Sequence, residues 1–319
     1  MAEIIKKATR DAYGENLVAL AAEYPDLVVL DADLSSATKT GMFRKTFPDR
    51  FINVGIAEQN LMSIAAGLAT SGKQVFASTF AMFAAGRAFE QVRNSIGYPH
   101  LPVKIGATHA GISVGEDGAT HQCCEDIALM RTIPGMTIIN PADAVEVKKA
   151  MRAVMKLDGP VYLRFGRLAV PILFDESYDF AIGKGMQLTE GTDVAIIATG
   201  LMVAEALTAA ELLKNEGIKA RVINMATIKP LDRDIVLKAA AETGAIVTAE
   251  EHTIIGGLGG AVAETVGEAL PVPVMRVGVN DTFGRSGPAL ELLKIYGLSA
   301  ENIVVKAKQA VEIKKQSCR

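Results

Sequence analysis

Short apolar segments that alternate with helical patterns from end to end are the feature that most constrains the fold. In the first half of the chain the candidate strands are "DLVVLDA" (26–32), "QVFAS" (74–78), "LPVKIGA" (101–107) and "MTIIN" (136–140). The candidate helices among them span residues 57–70, 83–96 and 142–156. Short, fully apolar strands joined by helices are typical of parallel sheets that are covered on both faces. The sequence therefore predicts an α/β fold.

A second block of the same kind begins at "DVAIIATG" (193–200). A predicted helix at 203–215 follows, and then the strands "ARVINM", "GAIVTAEE" and "VPVMRVGV". Residues 168–192, between the blocks, are turn-rich and lack a helical period. A chain of 319 residues is also long for one core. We predict two domains, 1–170 and 193–319, joined by a linker at 171–192, and each domain is expected to contain a mostly parallel sheet flanked by helices.

The composition narrows the class of protein. Half of the residues are hydrophobic, 22% are charged and the net charge is −3, so we expect a well-packed globular protein without a nucleic-acid-binding or membrane-binding surface. No apolar run approaches the ~18 residues of a membrane span. The first 24 residues carry Asp11 and Glu15 and predict an amphipathic helix rather than a signal peptide. Three cysteines form no disulfide framework, which indicates a reducing cytoplasm.

A glutamate lies at the start of an otherwise apolar predicted helix, in "NVGIAEQNLMSIAAGLATSG" (53–72). Glu58 follows Ile56 and precedes Leu61 and Met62. Such neighbours remove water from the carboxylate, which disfavours its charge. A helix start favours a negative charge through the macrodipole, so a purely structural role is the alternative to a functional one.

The loop "THAGISVGEDGATHQ" (108–122) follows a predicted strand and is the strongest candidate for a ligand site. It contains His109, His121, Glu116 and Asp117. Turn geometry explains its glycines but not two histidines beside an acidic pair, which favours a functional reading. Metal binding is the rival, but the chain lacks an HExxH pattern and paired CxxC motifs, so we predict no metal ligands here. The adjacent cysteines at 123 and 124 are expected to begin the next helix as packing residues.

Two weaker patterns complete the inventory. Phe80 and Phe83 in "STFAMF" are three residues apart and share a helix face if the helix has already begun, but for most phenylalanine pairs at this spacing a core role is the better interpretation. "GGLGG" (256–260) resembles part of a phosphate loop, but it lacks a following lysine, and a tight turn that enters a helix explains it.

Several motifs together resemble one known family. In chain order they are "KKATRDAYGENL", "DADLSS", "GIAEQN", "STFAMF", "GEDGATHQ", "MATIKPLD" and "AEEHTIIGGLGG". This ordered set resembles the C-terminal half of transketolase over the whole chain. The 1-deoxyxylulose-5-phosphate synthases and, more distantly, the β subunits of 2-oxoacid dehydrogenases share part of the pattern. The resemblance implies that 1–170 is a pyrimidine-binding domain for thiamine diphosphate and that 193–319 is the transketolase C-terminal domain.

The resemblance also implies roles for individual residues around that cofactor. Glu58 would bond a ring nitrogen of the aminopyrimidine and so help the cofactor to become a nucleophile. Phe80, Phe83 and Ile56 would contact the pyrimidine ring. Gly86 departs from the family, because long transketolases carry a tyrosine at that position, three residues after the second phenylalanine.

Substrate contacts are implied in the same way. His109 and His121 would hold sugar hydroxyls and assist proton transfers, and Asp117 would read the configuration of a hydroxyl. The terminal phosphate would be bound by arginines, whose fork suits phosphate; these are Arg10, Arg164 and Arg167. Two further departures affect this region, because Ala110 replaces an aspartate and Ala37 replaces a serine that are frequent in the family.

The family's diphosphate-binding and metal-binding motif, Gly-Asp-Gly followed by a distant asparagine, does not occur in this sequence. The resemblance therefore implies a separate N-terminal transketolase subunit that supplies the ligands for Mg²⁺ or Ca²⁺. It also implies self-association through the pyrimidine-binding domain, in an assembly with two copies of each subunit. The implied reaction moves a two-carbon ketol unit from a ketose phosphate to an aldose phosphate. A synthase-like or dehydrogenase-like subunit remains an alternative, as does an inert scaffold that keeps the fold.

Overall fold

The computed structural model describes residues 5–317, which form two large sheets with helices on both faces and a third sheet of two short strands. The strands in chain order are β1 (Lys6–Ala8), β2 (Leu27–Asp31), β3 (Phe51–Asn53), β4 (Gln74–Phe80), β5 (Val103–Thr108), β6 (Thr137–Ile139), β7 (Val161–Arg164), β8 (Ala169–Pro171), β9 (Met186–Gln187), β10 (Val194–Ala198), β11 (Ala220–Asn224), β12 (Thr227–Lys229), β13 (Ile246–Thr253) and β14 (Val274–Val279). The predicted α/β class is confirmed.

The helices lie between the strands. In chain order they are α1 (Thr9–Glu23), α2 (Ser35–Thr38), α3 (Gly41–Thr46), α4 (Glu58–Thr70), α5 (Phe89–Gln91), α6 (Asp126–Arg131), α7 (Ala144–Val154), α8 (Met202–Asn215), α9 (Arg233–Thr243), α10 (Leu258–Ala269), α11 (Ala289–Ile295) and α12 (Ala300–Ser317). Two π-helical segments flank α5, and 3-10 turns occur at Pro48–Arg50 and Ile112–Asp117; the π-helical segments are Phe83–Arg87 and Val92–Gly97. Within residues 5–317, no helix is long and apolar enough to cross a membrane.

The first sheet has seven strands in the order β12-β6-β7-β5-β4-β2-β3, and all neighbours are parallel except β12 and β6. Successive residues of β2 contribute to different cores, because side chains alternate across a strand. Leu27 and Val29 pack with α1 and α7, whereas Val28 and Leu30 pack with α4 and α6. Both faces are therefore buried, which explains the unbroken apolar strand sequences.

The second sheet has the order β14-β13-β10-β11-β9, and β9 is its antiparallel strand. The same alternation separates its two cores. Val194 and Ile196 of β10 pack with α8 and α12, whereas Ala195 and Ile197 pack with α9 and α10. Each block is thus a parallel sheet flanked by helices.

The short strands near the predicted linker pair in different ways, and β12 joins the second block to the first sheet. β8 lies at the end of the first block and pairs with β1. β9 lies inside the predicted linker and joins the second sheet beside β11. β12 comes from the second block but pairs with β6 in the first sheet, where it covers backbone groups that an edge strand would leave exposed.

Three local predictions differ from the structure in detail, and a fourth, the tight turn that enters a helix at "GGLGG", is observed at the start of the helix Leu258–Ala269. The predicted N-terminal helix begins only at Thr9, after β1, and its residues 1–4 lie outside the described residues. Phe80 ends β4 and Phe83 begins a π-helical segment, so the pair does not share a helix face. Cys123 and Cys124 are buried but precede α6, which begins at Asp126. In "GGLGG" the N–H groups of Leu258 and Gly259 both donate to the carboxylate of Glu250 at 2.7 Å, so the chain's own acid fills this turn.

Candidate active site

The carboxyl ends of β2, β4 and β5 meet at one edge of the first sheet, where open parallel sheets bind ligands. The turn after β2 is shaped by Asp31, a buried carboxylate that accepts bonds from the N–H of Leu34 at 2.6 Å and from the hydroxyls of Thr38 at 2.7 Å and Thr40 at 2.9 Å. This network is internal and leaves the following residues, Ala32 to Leu34, facing a cavity.

Glu58 lines that cavity and is the first residue of α4. Its side chain is nearly buried, with 8% of the residue exposed, yet its carboxylate makes no hydrogen bond or ion pair with any residue in the described part of the chain. The cavity has a volume of about 310 Å³, and its other lining residues are Ala32, Asp33, Leu34, Ile56, Phe83 and Arg87. Because buried polar groups are normally hydrogen-bonded, a carboxylate in this state is suited to a donor from outside the chain.

Aromatic rings form one wall beside this carboxylate. The rings of Phe80 and Phe83 stack with centroids 5.7 Å apart and an interplanar angle of 11°. His109 stacks on Phe80 at 3.8 Å, and His121 meets Phe83 edge-on at 5.5 Å. The predicted phenylalanines and histidines are thus brought together, although from a strand, a π-helical segment and a loop rather than from one helix.

His109 is held in a fixed orientation and a fixed protonation state. It is buried and has a positive φ of 56°, a conformation that costs a non-glycine residue about 1 kcal/mol. Its Nε2 lies 2.8 Å from Nη1 of Arg10, and its Nδ1 lies 2.9 Å from the hydroxyl of Thr108. Because a guanidinium only donates, Nε2 accepts and Nδ1 carries the proton. Burial, followed by the positive charges of Arg10 and Arg167, lowers the pKa of His109 to about 3, so the ring is neutral near pH 7.

Arg10 and Arg167 form a basic pair next to His109. Arg10 also donates to the carbonyl of Ala37 at 3.2 Å. Arg167 donates to the carbonyl of Val114, and its Nη1 lies 3.2 Å from a carboxylate oxygen of Glu116 and 4.0 Å from one of Asp117. The predicted acidic and basic residues of the loop therefore pair with each other in this structure, and an anionic ligand would have to compete with those carboxylates.

Arg164 is the predicted site residue that the structure does not bring to this group. It is buried, and its guanidinium donates to Asp126 at 2.8 and 3.2 Å and to the backbone carbonyl of Glu251 at 2.9 Å. The ion pair with Asp126 lies within the first block, and the bond to the carbonyl of Glu251 reaches the second block. These bonds give Arg164 a structural role, and its contact with a substrate phosphate stays a prediction.

Sequence reasoning missed Arg87 as a lining residue. Arg87 is exposed, and its side chain makes no hydrogen bond or ion pair with any residue between 5 and 317. A spacing of four residues from Phe83 could have indicated that both face the same cavity. Gly86 leaves its position without a side chain, and a Cβ there would lie 2.4 Å from the methyl group of Met82.

The residues of this group do not form a metal site in the described part of the chain. Within the described range there is no cluster of three or more His, Cys, Asp or Glu residues that could hold a metal ion. Burial also raises the pKa of the thiols of Cys123 and Cys124, which keeps both protonated. The arrangement can accept a hydrogen bond at Glu58, stack a flat ring near Phe80 and Phe83, and present polar groups from the 108–122 loop.

The class of protein follows from domain matches over most of the chain. The pyrimidine-binding domain of transketolases matches residues 5–172, and the transketolase C-terminal domain matches residues 183–303. The fold and site thus define an α/β protein that combines these two domains. The chain belongs to the transketolase family and corresponds to the C-terminal section of a split transketolase.

Relatives of similar length support that assignment. A protein of Methanocaldococcus jannaschii named as a transketolase C-terminal section is 53% identical over 315 residues, which cover 98% of each chain. A 6-deoxy-6-sulfo-D-fructose transketolase subunit of Clostridium sp. (strain MSTE9) is 45% identical over 305 residues, or 96% of this chain and 95% of the relative. A solved structure of a split-gene transketolase, described as an inactive β4 tetramer, superposes with a TM-score of 0.90 at 55% identity and covers 96% of this chain and 99% of its own.

Proposed function

We propose that this chain is the C-terminal subunit of a thiamine-diphosphate-dependent transketolase that moves a two-carbon ketol unit from a ketose phosphate to an aldose phosphate. The observation that carries the proposal is the carboxylate of Glu58, which is nearly buried and has no partner among residues 5–317. A ring nitrogen of an aminopyrimidine is a hydrogen-bonding partner of matching size and polarity for it.

The residues beside Glu58 fit the rest of that ring. The stacked rings of Phe80 and Phe83 offer an apolar face for a flat heterocycle. Ile56, which is 84% exposed, borders the same cavity. When bound, thiamine diphosphate supplies a carbon nucleophile that accepts the two-carbon unit. Glu58 would hold a proton at the pyrimidine nitrogen, and the aromatic wall would keep water from that bond and so strengthen it.

The 108–122 loop supports the sugar-binding part of the proposal. His109 is neutral and rigid, so it is suited to bind hydroxyl groups of the donor rather than to act as an acid at neutral pH. His121 is only partly buried and is the better candidate for proton transfer. Asp117 would read a hydroxyl, and Arg10 and Arg167 would bind the terminal anion of the sugar. A relative named for a sulfonated fructose suggests that a sulfonate could replace the phosphate at that end.

A second protein is part of the proposal. The described residues include no metal-binding cluster, and the diphosphate of the cofactor needs a cation with oxygen ligands at close range. An N-terminal subunit would supply those ligands for Mg²⁺ or Ca²⁺. The related split-gene structure, an inactive tetramer of β chains, supports both self-association and a lack of activity without that partner. An assembly with two copies of each subunit and a cytoplasmic location both stay predictions.

Calorimetric titration tests the proposal. Thiamine diphosphate with Mg²⁺ is titrated into the purified chain, and then into the chain mixed with a candidate partner of about 270–300 residues, a length expected for the missing domains. We expect weak or no binding to the chain alone, tight metal-dependent binding to the mixture, and ketol transfer only by the mixture.

Donor specificity separates the remaining alternatives. Transfer from fructose 6-phosphate supports the proposed substrates, and transfer from its 6-sulfonate analogue alone would indicate a modified sugar. Turnover of a 2-oxoacid without ketol transfer would favour a synthase-like or dehydrogenase-like subunit. Absence of both binding and turnover with every partner would favour the inert scaffold. Tight binding and turnover by this chain alone would contradict the split-enzyme proposal.

A further inference from the structure

A carboxylate of the second block reaches into the 108–122 loop. Glu251 lies in β13, is 3% exposed, and accepts the N–H of Ser113 at 2.6 Å through its Oε1. Ser113 is near the start of the 3-10 turn Ile112–Asp117, between His109 and Asp117. This contact joins residues 138 positions apart in sequence.

The loop backbone is fitted closely to this carboxylate. Gly111 has a positive φ of 80°, and a Cβ added there would lie 2.4 Å from Cδ of Glu251. A side chain at this position would therefore collide with the acid, and the left-handed conformation also favours glycine. The loop changes direction where it meets Glu251, directly after His109 and Ala110.

An arginine of the first block also holds the backbone of Glu251 in place. Nη2 of Arg164 donates to the backbone carbonyl of Glu251 at 2.9 Å and to Asp126 at 3.2 Å. All three residues are buried. The position of the Glu251 carboxylate is therefore set by β7 and α6 of the first block as well as by its own strand.

A second anchor lies at the other end of the loop. Nε2 of Gln122 donates to the carbonyls of Ile112 and Gly115 at 3.2 Å each, and to the carbonyl of Arg285 in the second block at 3.0 Å. Both ends of the segment that carries Asp117 are thus fastened to the second block. Arg167 of the first block adds a bond to the carbonyl of Val114, so the two contacts with the second block act together with one from the first.

We propose that Glu251 is a positioning residue for the donor sugar: it holds the 109–118 segment so that His109 and Asp117 face the substrate. This inference rests on the function proposed above and gives the second block a part in substrate binding. Glu251 touches neither substrate nor cofactor, since its contacts are Ser113, Gly111 and Arg164. The cofactor residues Glu58, Phe80 and Phe83 lie on other elements and make no contact with Glu251, although Phe80 stacks on His109 of the loop.

The chain offers a matched control in the adjacent residue. Glu250 is as deeply buried as Glu251, but its carboxylate accepts the N–H groups of Leu258 and Gly259 at the start of α10. Removal of either carboxylate deletes a buried acid that caps backbone N–H groups. Of these two acids, only Glu251 bonds the substrate loop.

Hydrogen exchange of the full-length chain is the first test and requires no activity. In Glu251→Ala, amide exchange at Ser113 and its neighbours in 109–118 should be at least ten times faster, with 257–262 unchanged. In Glu250→Ala the pattern should be reversed. Glu251→Gln retains a carbonyl oxygen that can accept from Ser113, so it should restore most of the protection and remains informative if the alanine variant does not fold. Unchanged exchange at 109–118 in Glu251→Ala would overturn the proposal.

Kinetics with the partner subunit are the second test. Glu251→Ala should raise KM for the donor sugar about tenfold or more, because small displacements of binding groups are costly, and thiamine diphosphate affinity should not change. Glu251→Gln should recover most of that loss, and Glu250→Ala should leave donor KM unchanged. An unaltered donor KM, or an equal loss in Glu250→Ala, would overturn the positioning role. If the wild-type complex transfers no ketol unit, the function and the sugar-specific part both fail, whereas exchange still decides whether Glu251 anchors the loop.

Discussion

Glu58 and Glu251 are both buried glutamates, but their carboxylates differ in hydrogen bonding. Glu58 and Glu251 are 8% and 3% exposed. Glu251 accepts a backbone N–H and lies near Arg164. Glu58 has no partner in the part of the chain that the structure describes. A satisfied carboxylate stabilises the protein's own structure, whereas an unsatisfied one keeps its hydrogen-bonding capacity for a ligand. Burial alone does not separate these two roles.

Glu146 is a further example of a satisfied acid. Its carboxylate accepts bonds from the hydroxyl of Tyr178 at 2.5 Å, the N–H of Ala142 at 2.7 Å and the side-chain amide of Asn224 at 2.7 Å. Three donors occupy a group that lies far in sequence from the candidate active site. The contrast makes the lack of partners at Glu58 more informative, because this fold supplies donors to its structural carboxylates.

The largest expected effect comes from the unsatisfied acid. Glu58→Gln should leave the fold intact and lower turnover of the two-subunit enzyme by about 10²–10⁴, the range of a lost proton-transfer group. Proton exchange at the thiazolium carbon, followed by NMR, is the direct measurement. Glu301→Gln is the control, because Glu301 lies in the first turn of α12 and shares only the helix-start position. If the proton at the thiazolium carbon exchanges at the wild-type rate in Glu58→Gln, Glu58 does not activate the cofactor and its role is structural.

Loss of the buried Arg164–Asp126 ion pair should lower the free energy of unfolding. Arg164→Ala leaves Asp126 as an uncompensated buried charge, which costs about 3–5 kcal/mol. Arg167→Ala removes a half-exposed arginine and should change the free energy of unfolding by less than about 0.5 kcal/mol. Urea denaturation of both variants measures the difference. Similar values for the two would mean that the Arg164–Asp126 pair contributes little to stability.

Removal of the Arg167 side chain is expected to have a smaller effect, on the KM of the donor. If it binds the terminal anion equally in ground and transition states, Arg167→Ala raises KM about tenfold for phosphorylated donors with little change in kcat. An unphosphorylated donor such as hydroxypyruvate should be nearly unaffected. Steady-state kinetics with both donors provide the comparison, and equal losses would show that Arg167 only orders the loop through Glu116 and Val114.

The smallest effect concerns pH and the satisfied acid Glu146. Burial raises its pKa to about 7 from the ordinary 4.5. Between these values the folded chain binds a proton that the unfolded chain releases, so this contribution to stability is full below about pH 4.5 and is lost as the pH rises through 7. Glu146→Gln should flatten the decline in the free energy of unfolding between pH 5 and 8. A steeper decline in the variant would contradict the sign of the shift.

Elements with strong periodicity were predictable from the sequence. The helix expected at 57–70 is observed as Glu58–Thr70, and the one expected at 203–215 is observed as Met202–Asn215. Phe80 was less accessible to prediction, because a spacing of three residues fits a helix but the strand β4 continues to that residue. A buried strand and a buried helix start leave the same short apolar pattern in sequence.

The candidate site divides in the same manner. Glu58 and His109 were identifiable because their residue types are unusual for their local positions, whereas the phenylalanines were named only through the family resemblance. The partners of Arg164, Asp126 and Glu251, could not be predicted because they are distant in sequence. The contact of Glu251 with the loop was missed for the same reason. Local sequence indicates which side chains have the chemistry to bind a ligand. Contacts between residues that are distant in sequence decide which of those side chains keep an unused hydrogen-bonding group.

The antiparallel strand β12 has a consequence for biosynthesis. It completes the first sheet beside β6, yet it is translated only after the linker and two strands of the second sheet. A nascent chain that has reached the linker therefore carries an unpaired sheet edge, which can recruit a neighbouring strand. The first block therefore gains its last strand only from the second block, and a product truncated within the linker would expose the edge of β6. The two blocks are coupled during synthesis as well as in the finished site.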